Sequence, residues 1–394
     1  MTRLVLGLLA LVGAPAGGAE IPAGARIEIR LKTTLSSRQS KVGDPVEAVV
    51  IAPVMAEGQI WMAPGEVVKG SVRAVQAAGP DGDPQAGLEL DFGEWRGKKL
   101  SAKVTEVNNG RETVEETGRI LGITASETLS AQMDRGLEKL GQRSGWLAEF
   151  LQAAKGALLK KAEFDIGYEA GVELDLALTK GLPVEKPAEV PLPAVAGGEE
   201  LHALVNAQAF QTMAEKPVKP SDITNLMFIG SRERLEAAFQ AAGWNTAAAL
   251  NSETGLETFR AVVENRGYKE APMSILLLEG QRPDLVFQKQ HNTFAKRHHL
   301  RIWRRPGTFQ GKTVWVCAAT HDVGIEFSPE NRTFIHKIDS KIDRERAKVV
   351  NDFLLTGMVK GLALVERAAV PKKGMNATGD EIETDGAMAV LVVE

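Results

Sequence analysis

Apolar and polar residues alternate with period two through the first hundred residues of the chain. In "ARIEIRL", Ile27, Ile29 and Leu31 fall on one side and Arg26, Glu28 and Arg30 on the other, the pattern of a half-buried strand. "DPVEAVVIAPV" and "EVVKGSVRAV" continue it, and "LELDFGEWRGKKLSAKV" predicts a hairpin turned at "RGKK". Short strands with frequent Gly and Pro turns predict a small barrel or sandwich over 20–107. A later stretch, "AGVELDLALTKGL" (170–182), echoes "AGARIEIRLKTTL" (23–35). It predicts a last strand of the same barrel, pairing back after an insertion.

The period changes within that insertion, residues 111–162. Leu129, Met133 and Leu137, then Leu147, Phe150, Leu151 and Ala154, recur at helical spacing, and Gly141 and Gly145 separate the two runs, so an αα-hairpin is expected. Residues 183–200 hold four prolines and end in Gly-Gly-Glu-Glu, which reads as a linker. Residues 201–394 mix both periods and predict an α+β domain. "GSRERLEAAFQAAGW" is a helix with Ser231 as N-cap and Gly243 at C′. "MSILLLEG", "HHLRIWR", "TVWVCAAT", "RTFIHKID" and "DGAMAVLVV" read as strands, the second and third joined around "RPGTFQGK". Ser340 and Asp343 suggest a capping box opening "KIDRERAKVVNDFLLTG", with Val350, Phe353 and Leu354 facing the core. The mixed charges at 341–348 read as a solvated face. The fold class is therefore multidomain, an all-β barrel-like module with an inserted helical hairpin followed by an α+β domain.

The net charge of −4 argues against nucleic acid as a partner. Residues 1–19 have the order of a secretory signal: Arg3, an apolar run from Leu4 to Val12, then small residues with Gly17 and Ala19 at the −3 and −1 positions. That run is too short to span a bilayer, and no later run is longer and as apolar, so no transmembrane span is expected in the mature chain. The expected location is periplasmic or secreted, with peripheral membrane contact left open. The single cysteine, Cys317, excludes an intramolecular disulfide and a thiolate metal cage, and its apolar surroundings predict a core residue.

Five of the six histidines lie between His291 and His336. Strand alternation places His298 with Leu300 and Ile302 on a core-directed face, and Arg297, His299, Arg301 and Trp303 on the other. Arginine forks beside an indole suit a phosphate or carboxylate, so Arg297, Arg301, Trp303 and Arg346 are candidate anion-binding residues. Across the expected hairpin His299 approaches His321 and Asp322, and His336 reaches the same edge from a neighbouring strand. His299, His336 and Asp322 are thus candidate catalytic residues, with histidine against aspartate as a general base. His321 joins them in a cluster with divalent-metal chemistry, although no recognisable metal-ligand spacing names the ion. Neither a G-x-S-x-G elbow nor a Walker loop occurs.

Two resemblances add to this reading. "IPAGARIEIRLKTTLSSRQSKVGDPVEAVVIAPV" and "APGEVVKGSVRAV" resemble the periplasmic β-barrel module of TrbI-type conjugal transfer proteins, over about 20–182. That family also inserts a helical hairpin late in its barrel. "NLMFIGSRERLEAAFQAAGW", "APMSILLLEGQRPDLVFQK", "KRHHLRIWR", "VWVCAATHDVGIEF" and "TFIHKIDSKIDRERAKVVNDFLLTG" resemble the LssY C-terminal domain family, over about 218–365. That resemblance implies a fold and a cell-envelope setting, since the family also occurs attached to membrane proteins, and it implies no reaction. Its signature positions fall on Gly230, Ala242, Gly243, Trp244, Arg297, His298, His299, Arg301, Trp303, Asp322, His336, Asp339, Asp343 and Arg346. Two functions follow as expectations: an envelope protein that binds a partner or an anionic ligand, or a hydrolase acting on a phosphorylated or lipid-linked substrate.

Overall fold

The computed structural model describes residues 19–56, 59–108, 110–124, 164–188, 194–215, 218–246, 275–289, 296–328 and 333–394. Six strands close the N-terminal barrel: β1 (Arg26–Leu31), β2 (Pro45–Val50), β3 (Val67–Gln76), β4 (Gly87–Trp95), β5 (Lys98–Val107) and β6 (Glu173–Leu178). Their order is β4-β3-β2-β1-β6-β5, and β5 returns to β4. Period two supplies the lumen. Ile27, Ile29 and Leu31 point inward with Val46, Ala48, Val50, Phe92, Leu174 and Leu176, all buried in one cluster. The two echoing segments pair with each other, Ile27 opposite Leu176 and Arg30 opposite Glu173. Arg96 and Gly97 form the two-residue β4–β5 turn, both at positive φ (52° and 73°), which matches the twist of a tight hairpin.

Two boundaries differ from expectation. The insertion does not begin as a helix: Thr113–Val114 and Ile120–Leu121 pair, and the second of these extends the barrel sheet at Gly87–Leu88. The expected helical pair itself falls on 125–163, outside the described residues. The linker is also shorter than 183–200. Leu182–Val184 pairs with Ala19–Ile21, Ala194 bridges to Leu362, and helix α1 (Gly198–Asn206) starts inside the expected linker.

The C-terminal domain is built on a mixed sheet. Its strands are β7 (Leu226–Ile229), β8 (Trp244–Thr246), β9 (Leu285–Lys289), β10 (Arg297–Phe309), β11 (Lys312–Ser328), β12 (Thr333–Ile338), β13 (Val359–Val365) and β14 (Met388–Val393). The order is β8-β9-β10-β11-β7-β14-β13, with β12 also on β11 and only β7–β14 parallel. Helices α2 (Arg232–Ala241) and α3 (Asp343–Leu355) cover one face through Leu235, Phe239, Val349 and Phe353. The other face is covered by α1, through Leu201 and Val205, and by Leu276–Leu278. The described part of "MSILLLEG" contributes the two-residue strand Leu276–Leu277 to a separate three-stranded sheet with Gln211–Ala214 and Pro220–Ile223.

The helix ends show what local signals decide. The Ser231 hydroxyl accepts from the Arg234 amide, and Gly243 sits at φ +80° beyond the helix end, both as the sequence predicts. The expected capping box at α3 does not form. Ile342 is the N-cap residue, and the Asp343 carboxylate instead accepts from Thr384 Oγ1 (2.7 Å) and the Asp385 amide (2.6 Å). Val349 and Phe353 are buried, while Val350 and Leu354 pack at the rim of the core. Cys317 is a core residue, and burial pushes its thiol well above its usual range.

Barrel and C-terminal domain meet through buried charge. Arg30 and Glu173 stand at the end of the β1–β6 ladder. Lys289 ends β9, and Lys348 and Asp352 lie one turn apart on α3. Glu173 accepts from Arg30 Nη2 (2.8 Å) and pairs with Lys348 (2.7 Å) and Lys289 (3.7 Å), while Asp352 pairs with Lys289 (2.6 Å), Arg30 (2.8 Å) and Lys348 (3.4 Å). The Trp244 indole N–H also donates to Asp352 (3.1 Å).

Candidate functional site

The strand β10 places its side chains alternately on the two faces, but neither face is open. Every residue from Arg297 to Trp303 is buried, because α2 and α3 lie on one side and α1 and the small sheet on the other. The expected solvent-facing row of Arg297, His299, Arg301 and Trp303 is therefore an interior row. Its charges are matched inside the protein. Arg297 pairs with Asp322 (2.9 Å), Arg301 with Asp222 (3.2 Å), and the Trp303 indole donates to the Gln281 carbonyl (3.0 Å). Arg346, on α3, pairs with Asp385 (2.7 Å) and Asp343 (3.1 Å). These cations are thus already held by carboxylates of the fold.

The candidate catalytic pair does meet. His299 Nε2 lies 3.0 Å from Asp322 Oδ1, with the Thr320 hydroxyl 3.4 Å from Nδ1. The register explains it, since Arg297 stands opposite Asp322 and His299 opposite Thr320. His336 stands opposite Ile325 on β12, and its side chain lies outside the described residues. His321 does not join this group. It stands opposite His298 and projects to the other face.

On that other face lies a cluster that sequence reasoning missed. The imidazoles of His298 and His321 stack with centroids 3.9 Å apart, and His298 Nδ1 lies 2.7 Å from Glu345 Oε2 of α3. One ligand atom from each of the three side chains lies within 4.8 Å of the others. Burial, reinforced at His298 by Lys348 and at His321 by His298, pulls both imidazoles down to about 3, so they are neutral. Burial pushes Glu345 up to about 7. Its Oε1 and His321 Nε2 are buried without a hydrogen-bond partner among the described residues. The sequence does carry a signal for Glu345: it shares the i, i+4, i+8 stripe with Val349 and Phe353, which marks it as inward-facing.

A third feature is a cleft of about 460 Å³ beside α1, lined by His202, Asn206, Glu366, Arg367, Lys372 and Asp385 among others. Among the described residues the buried Arg367 guanidinium donates to neutral oxygens: Gly386 O (3.1 Å), Thr224 Oγ1 (3.1 Å) and Thr224 O. No carboxylate lies within 4.0 Å of it among the described residues. Burial, then the neighbouring Arg346, pull it down to about 10, still charged at neutral pH. Lys372 donates to the Asp385 carbonyl at the same rim, and the Asp385 carboxylate is already taken by Arg346.

Residues 206–388 match the family model described as LssY C-terminus. Over these residues the chain is similar to the LssY C-terminal domain family. The match takes in β7 to β13, the His299–Asp322 pair, the His298, His321 and Glu345 cluster and Arg367, but not His202 or the residues after Met388, and it starts beyond the barrel. No curated protein matches the chain. No helix among the described residues is long and apolar enough to cross a membrane.

Proposed function

We propose that this is an exported cell-envelope protein whose LssY-like domain binds an anionic ligand, a phosphate or a lipid headgroup, without turning it over. The observation that carries this reading is Arg367, a buried cation with no carboxylate within 4.0 Å among the described residues, which lines the cleft with Lys372 and His202. A buried charge is costly unless it is compensated, and an anion in the cleft would add a direct partner to the more distant Asp385 and Asp343 carboxylates. Export rests on the charged, apolar, small order of residues 1–19. Hydrolysis by His299 and Asp322 is less well supported, because both groups are buried and Asp322 is shared with Arg297.

Isothermal titration of the mature chain with inorganic phosphate tests the binding. Saturable uptake by the wild type, lost in Arg367→Met and in the exposed Lys372→Ala, is the expected result. Uptake that survives Lys372→Ala and Arg367→Met, or no uptake at all, removes the cleft from consideration. N-terminal sequencing of protein from the producing cell should begin at Glu20, and an intact Met1 on recovered protein refutes export.

A further inference from the structure

We propose that the LssY-like domain also holds one divalent transition-metal ion, of the zinc type, between His298, His321 and Glu345. Three independent elements bring these side chains together. His298 and His321 are direct cross-strand partners on β10 and β11, so register alone puts both imidazoles on one face. Glu345 arrives from the first turns of α3, packed over that face by Val349 and Phe353.

The donor set suits such an ion. Two imidazoles and one carboxylate are borderline ligands, preferred by zinc or ferrous iron over the oxygen-seeking calcium and magnesium. Tetrahedral zinc sets its ligand atoms about 3.3 Å apart. The present spread of up to 4.8 Å therefore closes by side-chain rotation without moving a strand. Two of the buried polar atoms without a hydrogen-bond partner among the described residues are on ligand residues, His321 Nε2 and Glu345 Oε1. A native interior seldom leaves such atoms unmatched, and here two of them fall on one three-residue cluster. His321 is the one ligand residue that is partly exposed, so the ion enters past it and a fourth position faces that side. The burial of the other two ligands suits a retained ion rather than a reaction centre.

The site also bears on the rest of the molecule. Glu345, Lys348 and Asp352 follow one another on the same side of α3, so an ion bound at the first would brace the helix whose next turns grip the barrel.

The mature chain, stripped with EDTA, is titrated with Zn²⁺ by calorimetry and with Co²⁺ by its visible d–d absorption. One ion per chain with micromolar or tighter affinity is expected, weakened at least tenfold in His321→Gln and in Glu345→Gln and unchanged in His299→Gln. Should Glu345→Gln fail to fold by circular dichroism, the partly exposed His321→Gln decides. Absence of saturable binding by the wild type overturns the proposal. So does affinity that survives His321→Gln, or one that His299→Gln lowers as much. Phosphate uptake in the Arg367 cleft uses none of these three side chains, so either result stands without the other.

Discussion

Replacing Glu173 by Gln is the sharpest probe of how the two domains hold together. Glu173 is 1% exposed and faces three cations, Lys348 at 2.7 Å, Arg30 at 2.8 Å and Lys289 at 3.7 Å. At an effective dielectric of about 20, each contact is worth roughly 4–6 kcal/mol before desolvation. Stripping water from the carboxylate offsets several kcal/mol of that, so the net loss on removing one partner of a buried group is about 3–5 kcal/mol. Lys289 lowers the figure. Burial already pulls it down to about 8, and without Glu173 it sheds its proton more readily, which places the expected loss near 3 kcal/mol. Urea unfolding at pH 7, followed by tryptophan fluorescence, reads this as a lower midpoint. The pH dependence gives a second reading. Burial alone would raise the Glu173 and Asp352 carboxyls, but the neighbouring cations more than offset it and hold both below their usual values. A depressed carboxylate contributes stability above its unfolded pKa of about 4 and loses it as pH falls through the folded value. The wild type should therefore weaken steeply below pH 4 and the variant more gently. A loss under about 1 kcal/mol at pH 7, with unchanged acid sensitivity, would falsify the idea that this network is buried and joins the domains.

Asp175 should behave in the opposite sense. Burial raises its carboxyl to about 6, against 3.8 ordinarily, so its ionisation costs the fold up to about 3 kcal/mol as pH rises from 4 to 6. Asp175→Asn should gain in urea midpoint relative to the wild type between those pH values, and a constant offset refutes the assignment. Asp322→Asn should lose about 3 kcal/mol or more in the same assay, because Arg297 is left buried without its carboxylate; a change below about 0.5 kcal/mol would mean that the row is solvated. Arg301→Ala should likewise lose stability by stranding Asp222, an outcome that an exposed strand face would not give. Cys317 should react with a thiol reagent only on unfolding; rapid labelling of the native chain contradicts its place in the core.

Local pattern alone determined most of the elements. Period two specified the barrel strands and even the pairing of the two echoing segments, because alternation leaves only one register that buries Ile27, Ile29, Leu174 and Leu176 together. Ser231 and Gly243 marked the ends of α2 because capping is a contact between near neighbours. The His299–Asp322 contact was legible too, since a tight hairpin ties its register to its turn. What the sequence could not carry was coverage. Alternation says which residues share a face and nothing about what lies over it, so Arg297, Arg301 and Trp303 read as an open anion-binding row until α1 and the small sheet were in place. Charge had the same ambiguity. Glu345, Arg346 and Lys348 look like a solvated helix face in one dimension, and the first two are buried and the third largely covered because β10, the barrel and the Asp385 turn each bring an opposite or complementary group to them. The cleft at Arg367 and the trio His298, His321 and Glu345 join segments that the chain separates by dozens of residues. Only the tertiary fold sets those distances, because burial energy depends on the summed packing of distant elements and not on the spacing of any one.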